Sequence, residues 1–272
     1  MQIGSIEVSQ VIDATGTVDP LALWGSAVGR GSGAKGAAEA DWALHPSLRR
    51  DDGLMEMPVG SFLVRSGARL ILIDLGYGPE PPGALCGGLL LENLASKGVR
   101  PDDITDVVFS HLHPDHVGWA SVAGVTTFPR ATHYCHDDDW DHFVTGAAVP
   151  EVAGVVSPLT NRLEMWRGTH RVAPGVDLVA APGHTPGNAY VIISSGPDRA
   201  FLLGDIVHCP VELVDDDWAG LGDVDPVLAK EVRHALAREL EGTAVQVAGA
   251  HFPGMHFGRL LAGTGSRSWR WS

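Results

Sequence analysis

Thr105-Asp106-Val107-Val108-Phe109-Ser110-His111-Leu112-His113-Pro114-Asp115-His116 is the stretch that decides how the rest of the chain reads. It opens as a short apolar run suited to a buried strand and closes with four metal-ligand side chains in six residues. Residues two apart in an extended chain face the same side, so His111 and His113 can hold one ion together. Pro114 then turns the chain, leaving Asp115 and His116 to face a second ion close by. Buried without cations, these groups would each carry a desolvation cost of about several kcal/mol, which makes a metal-free polar loop a poor account of the run.

Three later positions repeat the form of an apolar run ending in one ligand-type residue. They are Ala181-Pro182-Gly183-His184-Thr185-Pro186-Gly187, Leu202-Leu203-Gly204-Asp205 and Ala248-Gly249-Ala250-His251. Taken singly, His184 and His251 would pass for solvated loop histidines, and Asp205 for a cap or turn residue. Their shared placement at strand ends, where α/β proteins gather sites, argues for the functional reading. The chain's 13 histidines point the same way, since many sit in short contexts with Gly, Pro or Asp.

Working outward, residues 3–11 read as a strand, and residues 59–66 and 69–75 as a hairpin around Ser66-Gly67-Ala68. Residues 89–97 have helical spacing and stop at Gly98. Further strands are expected at 132–135, 176–181, 189–194, 200–203 and 245–248. Residues 226–240 form a helix with Asp225 as its N-cap. Residues 25–38, rich in Gly, Ala and Ser and flanked by Trp24 and Trp42, read as a surface loop or a lid. Residues 137–169 hold Trp140, Phe143, Met165 and Trp166 without a clean period. They are expected to be a helical insertion that shapes a pocket or a dimer contact. Strand runs and helices alternate throughout, which gives α/β with helix-covered sheets.

The chain's 272 residues suit one large domain, taken here as 1–272 with a pocket-shaping insertion at about 137–169. A net charge of −14 repels phosphate backbones, so nucleic acid is excluded as a partner and a small-molecule substrate is expected. Cys86, Cys135 and Cys209 fit no zinc-finger spacing and no disulfide framework. No signal peptide or membrane-spanning run is read, so a cytoplasmic protein without membrane association is expected. A homodimer is left open.

The full set resembles the metallo-β-lactamase superfamily, whose mark is H-x-H-x-D-H followed by His, Asp and His at distant strand ends. The resemblance runs from Ile73-Asp74-Leu75-Gly76 to His251-Phe252-Pro253-Gly254, and all seven expected positions match. It implies a four-layer αββα sandwich and two divalent ions: zinc first, with manganese, cobalt or ferrous iron as alternatives. It also implies that His111, His113 and His184 hold one ion, that Asp115, His116 and His251 hold the other, and that Asp205 bridges them. Asp74 becomes a carboxylate that orients a ligand histidine. Such a centre, near +1 with a bridging hydroxide, makes hydroxide the nucleophile, and Asp115 orients it or accepts its proton.

Within the superfamily, Asp205 stands where many β-lactamases carry cysteine. The branch most resembled holds the N-acyl homoserine lactonases and methyl parathion hydrolase. The lactonases place a tyrosine three residues after the bridging aspartate; here that position is His208, a candidate for the same polar assistance or for a packing role. The expected reaction is hydrolysis of a lactone, carboxylic ester or phosphotriester. Thioesterase or glyoxalase II-like hydrolysis is the alternative, ahead of a di-iron redox role. The pocket wall is expected from the segment between Trp24 and Trp42, from that between Trp140 and Trp166, and from Met255, His256 and Phe257.

Overall fold

The computed structural model describes residues 1–25, 38–80, 82–83, 85–146, 149–218 and 222–272. Apart from its two end residues, the expected lid over 25–38 lies outside the described residues.

Two seven-stranded sheets form the frame. The first runs, in spatial order, β1 (Gln2–Ile3), β2 (Ile6–Val18), β3 (Met55–Ser66), β4 (Arg69–Ile73), β5 (Asp106–Val108), β8 (Thr132–His136) and β9 (Leu163–Trp166). A separate hairpin pairs β6 (Ser121–Val122) with β7 (Val125–Thr126). The second sheet runs β10 (Thr169–Ala173), β11 (Val176–Ala180), β12 (Ala189–Ser195), β13 (Asp198–Leu202), β14 (Gln246–Ala248), β15 (Gly258–Leu261) and β16 (Ser268–Trp271).

Alternation along the strands explains why the sheets stack. Phe62, Val64, Ile71, Ile73 and Val108 point inward from the first sheet, and Leu178, Val191, Ile193 and Leu202 meet them from the second. The intervening Leu63, Leu72 and Val107 point outward and are covered by Leu90 and Leu94 of the helix Leu90–Ser96. On the other outer face, Phe201 and Val247 are covered by Leu236 and Leu240 of the helix Pro226–Leu240. That makes four layers, helix–sheet–sheet–helix, as expected. The Ser66–Arg69 hairpin and the Asp225 N-cap, whose side chain accepts from Leu228 N–H at 3.0 Å, also fall where the sequence puts them.

Two expectations change. Residues 137–169 hold a strand as well as the helical turns expected of them. They run through the π-helical turn Trp140–Thr145 and the helix Pro150–Val156 into β9, which pairs parallel with β8 and completes the first sheet. Trp166 lies between the sheets rather than on a pocket wall. Met255, at the end of the 3-10 turn Pro253–Met255, and Phe257, just before β15, join the same inter-sheet core.

The parallel pairs β4–β5–β8 and β13–β14 put the C-terminal ends of these strands on one edge of the sandwich. β11 runs antiparallel to β12, which runs antiparallel to β13, so β11 ends at the same edge. Asp74 follows β4, His111 follows β5, His184 follows β11, Asp205 follows β13 and His251 follows β14. Convergence of strand ends thus gathers residues far apart in sequence.

Candidate metal centre

His111, His113, His184 and Asp205 form one group of potential donors, and Asp115, His116 and His251 form a second. Within each group the donor atoms lie within 4.8 Å of one another. His113 Nδ1 sits 3.0 Å from His111 Nε2 and 3.0 Å from His184 Nε2. One in-plane lone pair cannot serve two N–H neighbours well, so the three nitrogens aim at a shared point rather than at each other. Asp205 Oδ2 stands between the groups. It is 3.2 Å from His251 Nε2, 3.4 Å from His116 Nε2, 3.6 Å from His184 Nε2 and 3.9 Å from His111 Nε2. Asp115 Oδ2 is 3.4 Å from His251 Nε2.

His116 Nε2 and Asp205 Oδ1 are buried without a hydrogen-bond partner. Polar atoms orphaned this way cost about 1–3 kcal/mol each, and two divalent cations would satisfy them. The donor chemistry therefore fits the expected metal pair.

The rings are held from behind. Asp74 Oδ2 accepts from His116 Nδ1 at 3.0 Å and from Ser110 Oγ at 2.8 Å, while its Oδ1 accepts the Ser110 N–H at 2.7 Å. Its backbone adopts φ 63°, a left-handed conformation that aspartate tolerates better than most residues, and its N–H is fixed to Val108 O at 2.8 Å. The Asp74 carboxylate therefore backs the His116 ring. Ser110 Oγ also lies 3.1 Å from His111 Nδ1. His184 Nδ1 faces Asp223 Oδ1 at 3.1 Å, and His251 Nδ1 donates to Pro58 O at 3.0 Å. Gly204 is required beside Asp205: its φ is +53°, and a Cβ there would lie 2.8 Å from the Ser110 side chain.

Asp139 ties two donor loops together. Its carboxylate accepts from Leu112 N–H at 2.9 Å, Thr185 Oγ1 at 3.0 Å and Gly187 N–H at 2.6 Å. Full burial nevertheless pushes its pKa up, against these hydrogen bonds.

Electrostatics divide the two groups. Burial and the neighbouring rings push His111 well below its ordinary pKa, and burial and His184 take His113 down to about 4. Burial would lower His116 and His251 too, but the carboxylates facing them, Asp205 and Asp115, outweigh it and raise both. Asp205 is itself held low, against burial, by His251, His116 and His208.

His208 borders the site, with Nε2 3.3 Å from Asp205 Oδ2 and Nδ1 3.8 Å from Glu212 Oε2. Burial opposes its charge, yet these two carboxylates take it up to about 10. Among the described residues, Leu23, Trp24, Met57, His208 and Gly222 line a cleft of about 190 Å³ that opens onto His113, Asp115, His184, Asp205 and His251. Trp24, at the start of the segment expected to contribute to the wall, is its aromatic member. It is backed by Trp42 and Trp218, with ring centroids 5.6 Å (Trp24–Trp42) and 4.7 Å (Trp42–Trp218) apart. Phe143 approaches the site through His113, with centroids 5.5 Å apart.

Ser110, Asp139, Glu212, Asp223 and Arg233 were not anticipated. One of them carried a signal. Arg233 falls at i+4 between Ala229 and Ala237 on the buried face of its helix, where a cation needs a partner.

An αββα sandwich with a two-centre histidine–aspartate cluster at its strand ends defines a metallohydrolase fold. The chain belongs to the metallo-beta-lactamase superfamily, whose family model matches residues 55–251. An N-acyl homoserine lactonase of Bacillus thuringiensis is 25% identical over 209 residues, which cover 68% of this chain and 79% of that protein. The N-acyl homoserine lactonase AiiB of Agrobacterium fabrum is 28% identical over 183 residues, covering 55% of this chain and 63% of that one. Among solved structures, the dizinc quorum-quenching lactonase AidC, in complex with a product, superposes with a TM-score of 0.83 at 22% identity, over 99% of this chain and 95% of that one. The hydrolase AbOPH of the beta lactamase superfamily gives 0.82 at 24% identity, over 100% and 95%. These structural likenesses speak to the fold.

Proposed function

We propose that this protein is a dinuclear metal-dependent hydrolase that opens lactone rings, with N-acyl homoserine lactones as the leading substrate class. The carrying observation is Asp205 Oδ2, which lies within hydrogen-bond or ion-pair range of histidines from both donor groups. His111, His113 and His184 are assigned to one ion, Asp115, His116 and His251 to the other, Asp205 to both, and Asp74 to the orientation of His116. The all-His/Asp set suits zinc, and when bound the ions supply Lewis acidity and activate water. The homology to lactonases and the apolar wall of Leu23, Trp24 and Met57 support an acyl lactone over a compact anionic ester.

In this reading Asp115, partly open to solvent, holds the proton taken from the attacking water. His208 donates from Nε2 toward the substrate carbonyl or the departing ring oxygen. The ring C–O bond breaks, one water is added, and a hydroxy acid leaves. We place the protein in the cytoplasm. Among the described residues no single helix is long and apolar enough to cross a membrane, and all three cysteines are free.

The test is a panel of acyl homoserine lactones, aryl esters, thioesters and phosphotriesters incubated with zinc-loaded protein and with chelated protein. Chelator-sensitive ring opening, with gain of one water by mass, is expected to dominate. Turnover confined to thioesters, or activity untouched by stripping to below one ion per chain, would sink the reading.

A further inference from the structure

Behind the cleft lies a buried charge cluster that the reaction does not itself require. Arg233, Glu212 and Asp223 have side chains 1%, 0% and 2% exposed. Arg233 Nη2 donates to Asp223 Oδ2 at 3.0 Å, and Nη1 donates to Ile206 O at 2.7 Å while standing 3.9 Å from Glu212 Oε1. Each carboxylate then reaches forward. Asp223 Oδ1 meets His184 Nδ1 at 3.1 Å. Glu212 Oε1 accepts from Trp24 Nε1 at 3.0 Å, and its Oε2 accepts the backbone N–H of His208 at 2.6 Å.

We propose that Arg233 is a positioning residue that sets two walls of the site at once: His184 through Asp223, and the substrate-facing Trp24 and His208 through Glu212. A guanidinium is suited to this because its planar fork presents several donors in fixed directions, which a lysine ammonium cannot copy. The backbone bond to Ile206 O adds a third anchor, since Ile206 lies next to Asp205 and two residues before His208. A bystander ion pair would sit between structural elements, whereas here each partner's second oxygen ends on a residue lining the cleft. Removing one partner would leave the others buried and unpaired, so the cluster acts as a unit.

This inference rests on the metal-site reading above, and its test separates the two. Wild type, Arg233→Lys, Asp223→Asn and Glu212→Gln are each loaded with zinc and titrated with a competing chelator, and KM and kcat are measured on the best substrate of the panel. Asp223→Asn is expected to weaken retention of one ion by roughly 10–100-fold and leave the other unchanged. Glu212→Gln is expected to keep both ions and raise KM severalfold. Arg233→Lys is expected to show both defects together. If Arg233→Lys does not fold, the two carboxylate variants still decide, because a split between ion retention and KM supports the assignment. Variants that lose thermal stability but keep wild-type ion retention, KM and kcat would overturn it. A wild-type chain that binds no zinc would instead fail the metal-site reading, and with it the premise.

Discussion

His111 and His116 stand five positions apart, with ring centroids 4.0 Å from each other, yet their surroundings drive them in opposite directions. Both are buried, which disfavours the charged form. His111 faces mainly other histidines and is pushed down, as is His113. His116 faces Asp205, Asp115 and Asp74 and is pushed up, as is His251 by Asp205 and Asp115. His111 and His113 thus give up protons more readily than free imidazoles, while His116 and His251 hold theirs more tightly. Identical side chains acquire different proton affinities from where the carboxylates sit.

The most severe way to break this contrast is to remove the group common to both halves. Asp205→Asn takes away the carboxylate charge that faces both donor groups. It should lower kcat/KM by about a thousandfold, about 4 kcal/mol of transition-state stabilisation, and reduce zinc below one ion per chain. Zinc by mass spectrometry together with initial rates reads both, and two retained ions would show that Asp205 is no bridge. A narrower cut is Asp74→Asn, at a residue that bonds His116 directly and reaches His111 only through Ser110. Loss of roughly 10–100-fold in retention of a single ion is expected there. Equal weakening of both ions would erase the distinction between the halves.

Protonation gives a third handle. His116 and His251 are both raised, so in the metal-free protein they hold a proton more tightly than a free imidazole, and a cation at their half must displace it. Affinity for that ion should therefore rise with pH through the neutral range and fall as pH drops. His111, pushed well below its ordinary value, and His113, down at about 4, stay neutral until more acid conditions, so these two rings have fewer protons for a cation to displace near neutrality. Calorimetric titration of metal-free protein in buffers of different ionisation enthalpy should show more protons released with the ion at His116 and His251 than with the ion at His111 and His113.

What could be read without coordinates follows from the same physics. The seven donor-type residues that the fold brings together were legible because metal ligation restricts residue type, and strand ends announce themselves by the apolar runs before them. The helix Pro226–Leu240 and the hairpin at Gly67 were legible for equally local reasons. Asp223 and Glu212 were not: a carboxylate behind a histidine is defined by three-dimensional approach, and in sequence it looks like any acidic loop residue. Residues 137–169 misled because a π-turn and short helices break the 3.6-residue period, which hid β9 at the edge of the sheet. Met255 and Phe257, expected on the pocket wall, pack instead into the core between the sheets.

The smallest expected effect supplies the control for the comparison. His133 is fully buried on β8, stacked on Phe109 with centroids 6.3 Å apart, and neither ring nitrogen has a hydrogen-bond partner. Burial takes it down to about 4. A histidine whose folded pKa lies below its unfolded value binds its proton more readily when unfolded. Stability is therefore lost as pH falls from about 6.5 toward 4, amounting to about 2 kcal/mol between pH 7 and pH 5. His133→Phe keeps the stacking shape and removes the titration, so the acid-side decline in denaturation midpoint should flatten by about that amount, with zinc retention unchanged. If the slope is unchanged, burial does not suppress protonation in this sandwich. The low pKa values of His111 and His113 would then have to come from ring–ring repulsion alone, and the contrast between the halves would rest on charge without help from desolvation.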